Sequence, residues 1–253
     1  MKRGLLLPDV QAGPGRSNRH ILWAGRYAAA KRFDPVIQIG DWADMPSLSS
    51  YDKGKAAFEG RRLSKDWDAF RASVDQFMAP LGKAKGYSPR LVYTEGNHEF
   101  RLVRAANDNP ELEGSLPSPC DYLKSLGWEV YPFLTVAKGE GVLVSHLFPL
   151  SLNGRVTQSS TRYGSPNASQ MVRANMASCI AGHKPGLDVA MHPGAGGRML
   201  CGLIAGSFYS HSESYNGPGF DNQWKGVVAL NRLHTGRFDA CPVSIEYLKA
   251  KFS

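Results

Sequence analysis

The chain has 253 residues, 42% of them hydrophobic, enough for one α/β domain with a substantial core. Its net charge of +8 suits a polyanionic partner without requiring one. No apolar run approaches a membrane span, the Leu5-Leu6-Leu7 run is too short for a signal peptide, and four scattered cysteines with no Cys-x-x-Cys pair exclude a zinc ribbon and a disulfide framework. A soluble, cytoplasmic protein with reduced core thiols is expected.

Gly4 to Pro8 reads as a short buried strand, and the Gly13-Pro14-Gly15 stretch cannot continue it, so Asp9 stands at a strand end. Ser17 or Asn18 is placed to cap a helix from about Arg19 to Arg32, with Ile21, Leu22, Ala24, Tyr27 and Ala28 as its apolar face. Pro35 to Gly40 is the next strand, which completes a β-α-β unit with parallel strands. The Ser-, Gly- and Lys-rich stretch at about 45–65 reads as a cap or loop insertion beside Asp41. Helical spacing of Trp67, Phe70, Val74, Phe77 and Met78 predicts a helix over Leu63 to Leu81, followed by a strand over Arg90 to Thr94.

Phe100 to Asn107 and Cys120 to Leu126 read as helices, and Trp128 to Val130, Phe133 to Ala137 and Val142 to His146 as short strands. A Gly/Ser/Asn-rich segment at about 149–167 reads as a mobile loop beside His146. A helix over Ala168 to Met176 leads to a strand over Ser178 to Ala181, and three more strands are expected at about Met199 to Phe208, Gly226 to Leu233 and Val243 to Tyr247. Helices and strands alternate early and strands dominate late. That order fits a single domain over 1–253 in which two packed sheets carry helices on their outer faces.

The chemistry-bearing residues follow strands. Asp41 ends the run Val36-Ile37-Gln38-Ile39-Gly40, and a buried carboxylate needs a cation. Asp44 lies a turn further on, suited to capping the backbone or orienting a ligand. Asn97 and His98 follow Leu91-Val92-Tyr93, His146 follows Val142-Leu143-Val144-Ser145, and His183 follows Cys179-Ile180-Ala181-Gly182. One strand-end histidine is ordinary packing chemistry. Several such donors in one chain indicate a site at one edge of a sheet.

The series Asp9-Val10-Gln11, Gly40-Asp41-Trp42-Ala43-Asp44, Gly96-Asn97-His98-Glu99, His146 and Gly182-His183-Lys184-Pro185 resembles the calcineurin-like metallophosphoesterase superfamily. Pro8-Asp9-Val10-Gln11, the run from Met45 to Tyr51, and Pro242-Val243-Ser244 are similar to a bacteriophage-type branch, which fits a phage-encoded protein in a bacterial host. The resemblance implies a four-layer α-β-β-α sandwich of two mixed sheets. It implies two divalent ions bridged by Asp41, with Asn97, His146 and His183 completing one site and Asp9 and Gln11 serving the other. It implies a metal-activated hydroxide that attacks phosphorus, while His98 protonates the leaving oxygen or steadies charge on the phosphate. Arg101, one helical turn from Asn97, is expected to help hold a phosphate oxygen.

Two departures fall on one metal. The pattern has histidines where this chain has Gln11 and Pro185, so one ion is expected to bind tightly and the other to be labile. Mn²⁺ is favoured, with Mg²⁺, Zn²⁺, Fe, Ni²⁺ and Co²⁺ as alternatives. His20 and His211 are the candidate substitutes for the missing donors, each weighed against an ordinary surface or loop role. Lys53, Arg61 and Arg62, interleaved with Tyr51 and Phe58, are the candidate substrate contacts and give a slight preference for a phosphodiester or nucleic acid. The alternatives are a phosphomonoesterase or protein phosphatase, and a non-catalytic metal- or nucleic-acid-binding module on the same fold. Natural substrate, mono- versus diesterase action, endo versus exo cleavage and oligomeric state are not legible.

Overall fold

Leu5, Leu6 and Leu7 are fully buried, as a central parallel strand covered on both faces demands. They form β1 (Gly4–Leu7), which leads through α1 (Arg19–Lys31) to β2 (Val36–Gln38), and the two strands pair in parallel as the β-α-β pattern predicts. The computed structural model describes residues 2–148, 150–152, 155–157, 167–211, 223–234 and 236–253. Beyond β2 come α2 (Leu63–Lys83), β3 (Leu91–Thr94), α3 (Phe100–Asp108), α4 (Pro119–Ser125) and β4 (Glu129–Tyr131). Next are β5 (Ala137–Gly139), β6 (Val142–Ser145), and a small antiparallel pair, β7 (Leu150–Leu152) with β8 (Arg155–Thr157). The chain continues through α5 (Ala168–Asn175), β9 (Cys179–Ala181), β10 (Leu187–Pro193), β11 (Met199–Ala205), β12 (Gly226–His234), β13 (Arg237–Ser244) and α6 (Ile245–Phe252).

Two mixed sheets result. One has the order β13-β12-β1-β2-β3-β4, the other β10-β11-β9-β6-β5. Their facing sides share a core in which Leu6, Ile37, Ile39, Val92 and Val228 of the first sheet pack with Val142, Val144, Ile180, Leu203 and Ala205 of the second. The other face of the first sheet is covered by apolar residues of α1, α2 and α6, and Met171 of α5 packs on Cys179 and Ala181 of the second. Burying both faces of each sheet leaves the strand ends as the places where polar groups collect. The protein is therefore a mixed α/β structure with two packed sheets and six α-helices among the described residues.

Several expectations are corrected. Phe133 to Ala137 is not a strand: Leu134 has φ of 64° and Thr135 donates to the Pro132 carbonyl, a turn that delays the strand to Ala137. β10 was not anticipated, because it is an edge strand whose Val189 and Met191 are exposed, so no buried run marks it. The expected strand over Val243 to Tyr247 ends at Ser244, whose side chain accepts the Tyr247 N–H and starts α6 instead. Of the thiols, Cys179 and Cys201 are core residues, whereas Cys241 is exposed; all four are free. In the expected mobile loop at about 149–167, residues 150–152 and 155–157 form the β7–β8 pair, and most of the rest lies outside the described residues. No helix among the described residues is long and apolar enough to cross a membrane.

Candidate metal centre

The loops after β1, β2, β3, β6 and β9 meet at one end of the two sheets. Gln11, Asp41 and His183 have φ of 47°, 51° and 67°, left-handed values that side-chain-bearing residues seldom adopt. Such backbone persists only where surrounding contacts over-determine it. Closeness requires glycine at two motif positions: a Cβ on Gly40 would lie 2.6 Å from His146 Nδ1, and one on Gly96 would lie 2.1 Å from Asp41 Oδ1.

Four donor groups gather there. Ligand atoms of Asp41, His146 and His183 lie within 4.8 Å of one another, so this cluster could hold a metal ion. Asn97 Oδ1 lies 2.9 Å from His146 Nε2 and 2.8 Å from His183 Nδ1, and Asp41 Oδ2 is 3.5 Å from His146 Nε2. Metal–nitrogen bonds of about 2.1 Å give donor–donor edges of about 3.0 Å in an octahedron and about 3.4 Å in a tetrahedron. The three spacings of 2.9, 2.8 and 3.5 Å are close to those edges.

The hydrogen bonding supports the same reading. His146 Nδ1 is 2.8 Å from the Ile39 carbonyl, which can only accept, so Nδ1 carries the proton and Nε2 presents a lone pair. Facing the Asn97 oxygen, that lone pair is satisfied in one of two ways. Either a cation lies among the donors, or the Asn97 amide turns over to offer its N–H groups; only the cation uses all four donors at once. Burial lowers the basicity of both imidazoles, and with the His146 ring beside it His183 falls to about 4, which keeps both rings neutral as ligands must be.

His98 stands against this cluster without joining it. Its Nδ1 is 2.9 Å from Asp44 Oδ1, and its Nε2 is 3.7 Å from Asp41 Oδ2 and 3.2 Å from Arg101 Nη2. Asp44 thus fixes the orientation of the His98 ring, which is not one of the converging donors. Burial would lower the His98 pKa, but Asp41 and Asp44 outweigh burial and Arg101 and raise it. Burial would raise that of Asp44, yet His98, Arg16 and Arg101 hold it well below the usual carboxylate range. Arg101 also donates to the Asp44 carbonyl at 2.6 Å and the Met45 carbonyl at 3.3 Å, so its guanidinium is braced against the Asp41 loop.

The other half of the expected site is less complete. Asp9 is buried and its Oδ1 accepts the His183 N–H at 3.2 Å; burial and then the Asp41 charge push its carboxyl well above the ordinary range. Two buried carboxylates so close together both ionise only with positive charge between them. Gln11 donates its N–H to the Asp41 carbonyl at 2.8 Å, and its Oε1 is buried without a hydrogen-bond partner. A buried amide oxygen without a hydrogen-bond partner is a donor suited to a hard divalent ion. Pro185 sits in the turn after His183 and brings no donor. His20 packs edge-on against Phe208, with ring centroids 4.8 Å apart, and His211 stacks near Tyr209; neither belongs to the converging set.

Two residues at the centre were not anticipated. Arg16 bonds Asp44 Oδ2 at 2.7 Å and the Gln11 carbonyl at 2.9 Å, and the buried Glu99 carboxylate accepts backbone N–H groups around Asp41. The only sequence signals were an arginine in the Gly-rich turn after β1 and an acid closing the Gly-Asn-His motif. Lys53 and Arg62 are exposed on the loop that leaves Asp41, while Arg61 is tied to Asp52 at 2.7 Å and lies over Phe58. No protein-family model matches the sequence, and no curated protein matches it significantly.

Proposed function

We propose that this protein is a metal-dependent phosphoester hydrolase of the calcineurin-like type, with its sheets and helices arranged as that fold's four-layer sandwich. The observation that carries the reading is the convergence of Asp41, Asn97, His146 and His183 beside a His98–Asp44 pair that is near the donors but not among them. A purely structural metal site has no use for such a flanking pair.

Asp41, Asn97, His146 and His183 would hold one divalent ion tightly; Asp9, Gln11 and the shared Asp41 would hold a second more weakly. When bound, such ions polarise phosphoryl oxygens and lower the pKa of water at neutral pH. The chain's own residues do the rest. Asp44 holds His98 Nδ1–H, so Nε2 is the atom that can exchange a proton with the ester oxygen leaving phosphorus. Arg101 and Arg16 both hold the loop that carries Asp44, Arg101 also lying 3.2 Å from His98 Nε2, and their guanidinium groups can meet an anionic substrate.

A phosphodiester is the preferred substrate, supported by the net charge of +8 and the exposed cations Lys53 and Arg62 beside the exposed Tyr51. The test uses metal-stripped protein with bis-para-nitrophenyl phosphate and para-nitrophenyl phosphate, each with and without Mn²⁺. Mn²⁺-dependent turnover that His98→Ala abolishes is expected, faster on the diester. Equal background rates for parent and variant would sink the reading.

A further inference from the structure

Glu99 is fully buried, and the partners of its carboxylate are backbone amides rather than a cation. Oε2 accepts the N–H of Asp41 at 3.1 Å and of Gly96 at 3.1 Å, while Oε1 accepts the N–H of Ala43 at 2.8 Å. Asp41 and Ala43 lie on the loop after β2, and Gly96 lies on the loop after β3, directly before Asn97. One carboxylate therefore ties together the two loops that bring Asp41 and Asn97 to the site.

The tie answers a problem set by the backbone. Gly40 and Asp41 turn through φ of 96° and 51°, and this turn carries the Asp41 N–H out of the β2–β3 ladder. A buried N–H must find an acceptor, and here only a side chain reaching from the neighbouring loop supplies one. Both oxygens are used, so the spacing of the loops is set by the width of one carboxylate. A contact that tight leaves no room at Gly96, where a Cβ would sit 2.2 Å from the Asp41 nitrogen.

We propose that Glu99 is a positioning residue that sets the distance between Asp41 and Asn97 and thereby the metal affinity of the site. Among the described residues its hydrogen bonds are to backbone amides, so it acts through the loops and not as a metal donor or proton carrier. The inference rests on reading the four converging donors as a metal site, but not on what that site hydrolyses. A glutamine keeps the shape and replaces one acceptor by an N–H₂ group aimed at an N–H donor, which forces the loops apart. An aspartate is one methylene short and cannot span both loops.

The test is Mn²⁺ binding to the metal-stripped 253-residue chain, read by calorimetry or by the paramagnetic resonance of free Mn²⁺, for the parent, Glu99→Gln and Glu99→Asp. Expected is a tenfold or greater weakening in both variants, with turnover returning to within a few-fold of the parent at saturating Mn²⁺. Unchanged Mn²⁺ affinity in a folded variant overturns the proposal, and so does a loss of turnover that excess Mn²⁺ does not restore. Hydrogen exchange on the unsubstituted protein gives an answer that needs no variant to fold. The amides of Asp41, Ala43 and Gly96 should be protected as one group and slowed together by Mn²⁺; independent exchange of the three refutes the tie. A parent that binds Mn²⁺ but hydrolyses nothing removes the hydrolase reading and leaves this one standing.

Discussion

Asn97→Ala isolates the donor that joins the two histidines. Asn97 Oδ1 is the common neighbour of His146 Nε2 and His183 Nδ1, at 2.9 and 2.8 Å, so its removal takes one of four donors and leaves the rings in place. A ligand present at a hundred times its dissociation constant stabilises a folded chain by about 2.7 kcal/mol. For a chain of this size that corresponds to a rise in Tm of about 5–11 °C. Even an outer-shell partner of a metal site commonly costs 10–100-fold in affinity, so loss of a direct donor should cost at least that. At the same metal concentration the stabilisation then falls to about 1.4 kcal/mol or less, and the rise in Tm to about 6 °C or less. Thermal unfolding of chelator-treated protein, scanned with and without Mn²⁺, measures both numbers. An Asn97→Ala variant whose Mn²⁺-induced rise equals that of the parent would refute the assignment of Asn97 as a donor.

Other outcomes follow from the same geometry. His98→Ala should keep the Mn²⁺-induced rise in Tm while lowering kcat about 10²–10⁴-fold, because His98 stands beside the donors; loss of both together would make His98 a ligand. Gly96→Ala should abolish tight Mn²⁺ binding even where the chain folds, since its Cβ meets Asp41 Oδ1 at 2.1 Å; calorimetry that finds parental affinity contradicts the crowding argument. Burial holds His20 at about 4 against 6.5 for a free imidazole, so the unfolded chain takes up a proton in the window from about pH 6.5 to 4 that the folded chain does not. The folded state should therefore lose up to about 3 kcal/mol of stability as pH falls through that window and nothing above it. Urea unfolding of His20→Gln should be flatter over those pH values than that of the parent, and an identical slope removes His20 as the cause.

The strands that deliver donors were legible for a definite reason. β1, β2 and β3 are buried on both faces, so each is written as a largely apolar run, interrupted in β2 only by the buried Gln38, with donors just beyond. Asp41, Asn97, His146 and His183 stand just beyond such runs, and their convergence follows from parallel pairing of β1, β2 and β3 in one sheet and of β6 and β9 in the other. β10 carries no such signature because an edge strand need not be apolar on both faces. Arg16 escaped because its partner Asp44 is distant in sequence, and nothing local distinguishes an ion-paired arginine from a solvated one. Glu99 escaped because it serves the backbone. Amide partners have no residue type, and a motif of donors and acids therefore cannot announce them.

The asymmetry between the two halves of the site is a matter of charge as much as of ligand count. Gln11 and Pro185 supply no imidazole, yet Asp9 and Asp41 are both buried, and burial together with the Asp41 charge raises the Asp9 carboxyl. Carboxylates and an amide oxygen in place of imidazoles make a harder donor set, which disfavours Zn²⁺ relative to Mn²⁺ or Mg²⁺. The charge still calls for a cation. On the proposed reading, an amide and a proline in place of imidazoles weaken the directional part of binding and leave the electrostatic part, so a second ion there should be exchangeable and selective for hard metals.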